Sequence, residues 1–481
     1  MIGAWWRLAL LAACLASGGC TLERPTAGTD FEVPGQFAEQ GDAAEQWPDS
    51  SWWQGFAVPE LDRLVVAARA GNTDLLAGLA RLRQADAQAR IAGAALLPTL
   101  DASAGSIRTR RTSDNGLTGK GPLVSDSVDL GLVARWEVDI WGANQAARDS
   151  ALASAASTRF AEDALDLTVT AGVAETYFRL LAQRDRVRIA EANLGNARRV
   201  LALVEVRVQN GAASDLDLAR QRTQVANLLA VLPVLLQTER QTQNALALLL
   251  GRPLVGFDVE GRTLAPVKPV AIITGLPSGL LHRRPDLRAR EADLLAAAAD
   301  IVVARAALYP TIDLTGRAGL TSESLRSILS QTSVLSIATS ILAPIFDGGR
   351  RRAQVEVSEA QRQELVEAYR GTVLGALADV EDALTAARQS RAREAALERA
   401  VREARRAFSL AETQYRNGAI GLFELLDAQR TLFAVEEAVI GARLDRLLGL
   451  IDLYRALGGG WTPLSTPVTA RTTIRTTQIP A

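Results

Sequence analysis

Few residues in this sequence could do covalent chemistry. Its 481 residues include one histidine and two cysteines. His282 stands alone before a helix start, with no nucleophile–base arrangement, metal-ligand spacing or Gly-rich phosphate loop beside it. An enzyme is not expected, and neither a cofactor nor a metal is called for. The thiols lie near the start. Arg7 gives a charged beginning, Leu8 to Ala16 a short apolar core, and Ser17-Gly18-Gly19 small residues ahead of Cys20. That order suits a bacterial lipobox, in which the Cys20 thiol is acylated and becomes the mature N-terminus. Ser17 stands where leucine is usual. Leu11-Ala12-Ala13-Cys14 fits the letters better but leaves a very short apolar core after Arg7, so Cys20 is preferred. A plain secretory signal with two idle cysteines is the other reading. No cysteine pair remains after Cys20 to form a disulfide.

The elements that must position the rest are long. Ala143 to Gln209 contains no proline and only Gly172 and Gly195 as interior glycines. Apolar residues recur there every three or four positions, so a helix of roughly 100 Å is expected. Arg350 to Arg416 reads the same way. The two runs close on Asn210-Gly211-Ala212 and Asn417-Gly418-Ala419. Ser214 and Asp215 can cap a return helix to about Leu250, with a kink or break expected at Pro233. Val366, Val373, Val380 and Ala387 repeat at heptad spacing, as do Leu426, Phe433, Ile440, Leu447 and Tyr454. Adjacent apolar positions make the stripe wider than a two-stranded seam, which suits a ring of helices.

Between the helical stretches the period changes to two. From Ser127 to Trp141, Val128, Leu130, Leu132, Ala134, Trp136, Val138 and Ile140 share one face. Asp129, Gly131, Val133, Arg135, Glu137 and Asp139 share the other. Thr99 to Arg110 is a weaker partner. A second pair follows, with Ile312, Leu314, Ala318 and Leu320, then Leu335, Ile337, Thr339, Ile341, Ala343 and Ile345. A soluble half-buried strand would alternate in the same way, but the run is long enough to cover a bilayer at barrel tilt. No stretch of 18 apolar residues exists, so a bilayer would be crossed by strands. Four strands cannot close a barrel, so the chain is expected to oligomerise. Charge is balanced, with 53 basic and 54 acidic residues. No basic patch carries interleaved aromatics, so nucleic acid is not an expected partner.

The pattern occurs twice. Leu96-Leu97-Pro98-Thr99 is echoed by Leu308-Tyr309-Pro310-Thr311, and Leu250-Gly251 by Leu457-Gly458, about 207 residues apart. The expected organisation is a signal at 1–19, a lipidated linker at 20–56 and a first repeat at 57–251. A connection at 252–278, a second repeat at 279–458 and a tail at 459–481 follow.

Particular motifs resemble a known family. They are Ser51-Trp52-Trp53 with Phe56 and Pro59-Glu60-Leu61, and Leu280-Leu281-His282-Arg283-Arg284-Pro285-Asp286-Leu287. Ala298-Ala299-Asp300-Ile301, Ala306-Ala307-Leu308-Tyr309-Pro310 and the two Asn-Gly-Ala turns complete the set. In this order the chain resembles TolC/OprM-type outer-membrane efflux proteins, of the NodT-type lipoprotein branch. The resemblance implies an α+β membrane protein and a homotrimer. Its trimeric 12-stranded β-barrel (four strands per chain) would sit in outer-membrane lipid and continue as a periplasmic 12-helix α-barrel. Asp129, Glu137 and Asp139 would then face water.

The implied function is the exit duct of a tripartite efflux system. Its partners would be a periplasmic adaptor (membrane fusion protein) and an inner-membrane pump of the resistance-nodulation-division type, passing small toxic compounds outward. The resemblance also implies a periplasmic gate at Tyr415, Glu424 and Asp427, with Asp217 and Arg220 as the first-repeat counterparts of the two acids. Arg220 could pair with Asp427 of a neighbouring helix. The family's arginine shortly after the turn is often absent in relatives, and Ile420 occupies its place here. Gly211 and Gly418 would shape the turns that seat the adaptor. Type I protein secretion and a soluble periplasmic coiled-coil scaffold are the alternatives.

Overall fold

In a computed structural model, the structure describes Phe37 and residues 47–111, 123–268, 279–323 and 333–461. The signal segment with Cys14 and Cys20, and residues 462–481, lie outside these. A 3₁₀ turn, Trp52–Phe56, precedes α1 (Pro59–Gly71) and α2 (Thr73–Ala94). Then come β1 (Thr99–Arg111), β2 (Leu123–Glu137), α3 (Ala143–Gln209) and α4 (Asp215–Leu249). After a one-turn α5 (Leu280–Arg283), the order recurs as α6 (Pro285–Ala306), β3 (Thr311–Ser322), β4 (Ser333–Leu342), α7 (Arg350–Arg416) and α8 (Leu422–Ala456). Both long helices have 67 residues and both return helices 35. Equal lengths in both copies support a duplicated unit. Among the described residues no helix is long and apolar enough to cross a membrane.

The chain divides into two compact units. One comprises residues 82–158 and 290–368 and holds the strands. They form one antiparallel sheet in the order β1-β2-β3-β4. The register puts Leu132 beside Ala102 and Ala318, and Ala318 beside Leu335. The alternation of each strand therefore falls in phase and gives one continuous apolar face. β2 ends at Glu137, short of the expected Trp141. The reason is local. The Asp139 carboxylate accepts from the amides of Asn144 (3.1 Å) and Gln145 (2.8 Å), so it caps α3 and does not extend the water-facing row. Asp347 does the same for α7, accepting from Gly349 N and Arg351 N. Trp141 stacks on Tyr309 with ring centres 4.7 Å apart and donates to Pro310 O at 2.7 Å.

The second unit comprises residues 47–81, 159–268, 279–289 and 369–461 among those described. Its core gathers Trp52, Phe56, Leu61, Tyr177, Phe178, Leu246, Ile451 and Tyr454. Trp52 stacks on Tyr454 at 4.9 Å, and Phe56 meets Phe178 edge-on at 5.1 Å. The end of the expected linker is thus buried core, and each such aromatic contributes about 1.5–3 kcal/mol by burial. The heptad stripe is buried as its spacing predicts, at Val373, Val380, Leu426, Ile440 and Leu447. Gly459 and Gly460, expected to open the tail, are packed against Leu167 and the Asp49 backbone. α4 continues through Pro233 without a break. Proline removes the amide that the Leu229 carbonyl would accept, but Leu229, Val231 and Val234 are exposed, so water reaches that carbonyl.

Both repeats tie the end of the return helix in the same way. Asn72 caps α2 and donates to Leu249 O at 2.8 Å. Arg284, at the matching place before α6, donates to Ala456 O at 3.3 Å while binding Asp286 and Asp379. The backbones come so close that a Cβ at Gly251 would stand 2.0 Å from Gly71 O, and one at Gly458 2.2 Å from Arg283 O. No side chain fits at either position.

Candidate functional site

Two places could serve transport: the faces of the sheet and the turns between the long helices. On the sheet the apolar face is open. Leu335 and Ile337 are 81% and 83% exposed, and Leu100, Leu130 and Leu132 are exposed as well. The opposite face is polar. Asp129 accepts from Thr321 Oγ1 at 2.6 Å and Ser127 Oγ at 3.2 Å, and Arg135 lies 3.5 Å from Asp101. Glu137 is exposed on the same face. Yet Val133, also on this face, is buried. Gly131 and Gly319 pair in register, and a Cβ on Gly319 would sit 2.6 Å from Leu130 O. The backbones of β2 and β3 therefore approach closely at this pair of glycines. The outer edges of β1 and β4 have no neighbouring strand among the described residues.

At the helical turns the backbone is the same twice. Ala212 N donates to Arg207 O and Gly211 N to Val208 O. Ala419 N donates to Gln414 O and Gly418 N to Tyr415 O. This is the Schellman closure, with glycine left-handed at φ 70° and 75°. A Cβ at Gly211 would touch nothing within 4 Å. The backbone angle and not crowding therefore requires glycine there, and both turns are exposed.

The residues expected at the gate are placed unequally. Glu424 and Asp427 are exposed on the first turns of α8. Asp217 is half-buried because it completes a capping box with Ser214. Arg220 is exposed and lies 3.9 Å from the Asp217 carboxylate. Tyr415 is core: it is 3% exposed and packs with Val200, Val204, Phe408, Leu422 and Leu425. Burial pushes its phenol above the usual value, with the Arg207 cation opposing. Sequence reasoning missed Arg207. Its guanidinium lies 4.6 Å over the Tyr415 ring and donates to Tyr415 O. The available signal was a basic residue in the last turn of α3, where a helix end favours a cation. His282 is exposed on the one-turn α5. The described residues hold no group of three or more side chains able to ligate a metal.

A four-stranded sheet carried with two long helical hairpins on one α+β chain defines a class of membrane channel subunits. The outer membrane efflux protein family matches residues 64–252 and 276–459, and the chain belongs to it. The pyoverdine export outer membrane protein OpmQ of Pseudomonas putida is 40% identical over 94% of this chain and 97% of its own. The outer membrane protein OprJ of Pseudomonas aeruginosa is 35% identical over 94% and 95%. Among solved structures, the outer-membrane channel OprN superposes with a TM-score of 0.85 at 29% identity, covering 92% of this chain and all of that one. The open state of the Neisseria gonorrhoeae MtrE channel gives 0.83 at 30% identity, covering 92% and 99%. These relatives are channel proteins, and this chain is an outer-membrane efflux channel component and not an enzyme.

Proposed function

We propose that three copies of this chain form one exit duct. Each would contribute its four strands to a shared 12-stranded barrel and its two hairpins to a periplasmic 12-helix α-barrel. The observation that carries this reading is the four-stranded sheet: its apolar face is exposed, its other face carries Asp129, Arg135 and Glu137, and its edge strands β1 and β4 have no neighbouring strand among the described residues. An apolar face of this extent needs lipid or a partner, and open edges in lipid need another strand. Pairing β4 of one copy with β1 of the next satisfies the edges, and outer-membrane lipid covers the face.

Under this reading Cys20 carries the lipid anchor, as in the NodT-type branch. Gly211 and Gly418 shape the turns that meet a periplasmic adaptor, and an inner-membrane pump of the resistance-nodulation-division type supplies the cargo. Glu424 and Asp427 are exposed and form no ion pair among the described residues, which suits acidic rings around the axis that favour cations. Arg220, held only at 3.9 Å by Asp217, is available to Asp427 of a neighbouring copy. Relatives named for pyoverdine, toluene and antibiotic export favour small molecules over secreted proteins. The test is oligomer mass after outer-membrane extraction, with one cysteine introduced in β1 and one in β4. A detergent-dependent trimer, crosslinked through both edges, is expected. A Cys20→Ser protein that is soluble and monomeric without detergent would overturn the duct.

A further inference from the structure

The arginines in the stem of the second long helix divide into two sets. Arg393 and Arg405 turn toward α8 and pair with Asp445 and Glu436, each at 2.8 Å. Arg388, Arg391, Arg399, Arg402 and Arg406 form the other set. Their spacings of three, eight, three and four residues place them on one face of α7, and Ala395 fills the turn without a charge. The row runs for about 27 Å along the helix, and all five side chains are exposed. Arg391, Arg399, Arg402 and Arg406 form no ion pair among the described residues. The nearby Glu394 and Glu398 are already held by Arg443 and Arg446 of α8. Glu403 flanks the row and is exposed.

The first repeat has no such row. At the register set by the two turns, 207 residues earlier, stand Leu181, Arg184, Ala192, Gly195 and Arg199. Leu181 is core, Arg184 binds Glu239 and Asp258, and Arg199 bonds to Asn196. A second copy would not neutralise the row with its first hairpin either. Between Leu218 and Thr238, α4 has Arg220 and Arg222 and no acid. Beyond Glu191, the one acid of α3 is Glu205, and it binds Arg222. Four cations without partners along one line therefore call for an anionic partner outside the chain.

We propose that this row is a docking line for an extended polycarboxylate, the peptide-bearing glycan polymer of the cell wall through which a periplasmic duct passes. This rests on the duct reading, which puts α7 in the periplasm. Guanidinium forks take carboxylates two oxygens at a time. A straight row of five suits a chain better than it suits one small anion. The row also stands back from the turn proposed to meet the adaptor, since Arg406 precedes Gly418 by 12 residues, about 18 Å along a helix.

The test is co-sedimentation of the detergent-purified full-length protein with insoluble peptidoglycan sacculi, at low and at high salt. Wild type should sediment at low salt and be released at high salt. Sacculi with amidated carboxylates should retain none of it. The fourfold variant Arg391→Gln/Arg399→Gln/Arg402→Gln/Arg406→Gln should bind roughly tenfold less, since several small exposed charge contacts are lost together. The matching fourfold change to Lys should fall between, because it keeps the charge and loses the fork. A control that removes four exposed cations elsewhere, Arg198→Gln/Arg199→Gln/Arg240→Gln/Arg252→Gln, should bind like wild type. Thermal melting reports whether each variant is folded, and Arg402→Glu, a single exposed change, repeats the test if the fourfold variant is not. Single-channel currents of the same proteins in planar bilayers complete it, with the conductance and ion selectivity of the stripe variant expected to match wild type. Equal binding by wild type and stripe variant would overturn the docking line, as would an equal loss in the control or retention by amidated sacculi. A stripe variant with altered anion selectivity would put the row on the pore and overturn it too. Wild-type currents without sacculus binding would overturn the docking line alone. Absence of current from wild type and every variant would overturn the duct reading and the docking line with it.

Discussion

The two helical hairpins have equal lengths and near-identical turns, yet they are held together by different means. The second is pinned along its stem. Arg443 and Arg446 both bind Glu394, at 2.9 and 2.8 Å, Arg443 also reaches Glu398, and Arg405 and Arg393 bind Glu436 and Asp445. Among the described residues, the first hairpin shows the exposed bridge Arg222–Glu205 at 3.4 Å and the more buried Arg184–Glu239 at 3.1 Å. At the turn the order reverses. The α4 start is fixed by the Ser214–Asp217 capping box, whereas Gly421 offers α8 no side-chain cap. A duplicated unit has thus divided its stability, with a firm stem and soft start in one copy and the opposite in the other. The soft start is the one that carries Glu424 and Asp427.

This contrast is breakable. The largest effect is expected at Glu394, whose carboxylate is buried between two arginines. Glu394→Gln should cost about 2–3 kcal/mol in thermal unfolding, because it takes the carboxylate from Arg446 and leaves Arg443 with Glu398 alone. Arg222→Ala on the exposed pair of the first stem should cost under about 0.5 kcal/mol. Equal losses would erase the asymmetry. Acid sharpens the point. Burial alone would raise the Glu394 carboxyl, but the bonds from Arg446 and Arg443 outweigh it and hold the group below its usual value. Its contribution is then fully present above the unfolded carboxylate value, about 4.3, and is lost as pH falls through the lower folded one. Melting curves of wild type should decline on acidification through that range more steeply than those of Glu394→Gln.

Caps give the next smaller effect. Ser214→Ala should destabilise the first hairpin by about 1 kcal/mol. Gly421→Ser should stabilise the second by about 0.5 kcal/mol, since Gly421 already has extended backbone angles and a new Cβ would meet only the movable Glu424 carboxylate at 3.0 Å. Hydrogen exchange at the first turns of α4 and α8 reads both. At the turns, Gly211→Asp and Gly418→Asp should each impair export while leaving trimers intact. Gly418→Asp would also place a carboxylate beside Arg207, so Gly211→Asp is the cleaner measure of adaptor docking. Unchanged efflux in both would remove that role from the turns.

Much of this architecture was legible from local pattern. The period-two runs marked the strand faces because each strand has one wet and one dry side. The Asn-Gly-Ala turns marked the hairpins because a Schellman closure needs a left-handed residue. What escaped was whatever depends on the setting in which a residue is placed and not on its period. Asp139 continues the polar alternation of β2, and only the position of α3 reveals it as a cap. Pro233 reads as a breaker, and its exposed setting lets the helix pass. Tyr415 matched a gate position by its place in the turn, while its burial under Arg207 comes from another hairpin. The acids Glu424 and Asp427 were legible as exposed because they lie off the apolar stripe of α8.

The most direct test of the duct is the conductance of detergent-purified protein in a planar bilayer, with wild type beside Asp427→Ala. Small cation-selective currents in wild type, larger or less selective in the variant, are the predicted result. Failure of the protein to insert, together with solubility after delipidation, would contradict the account and leave a periplasmic scaffold in its place.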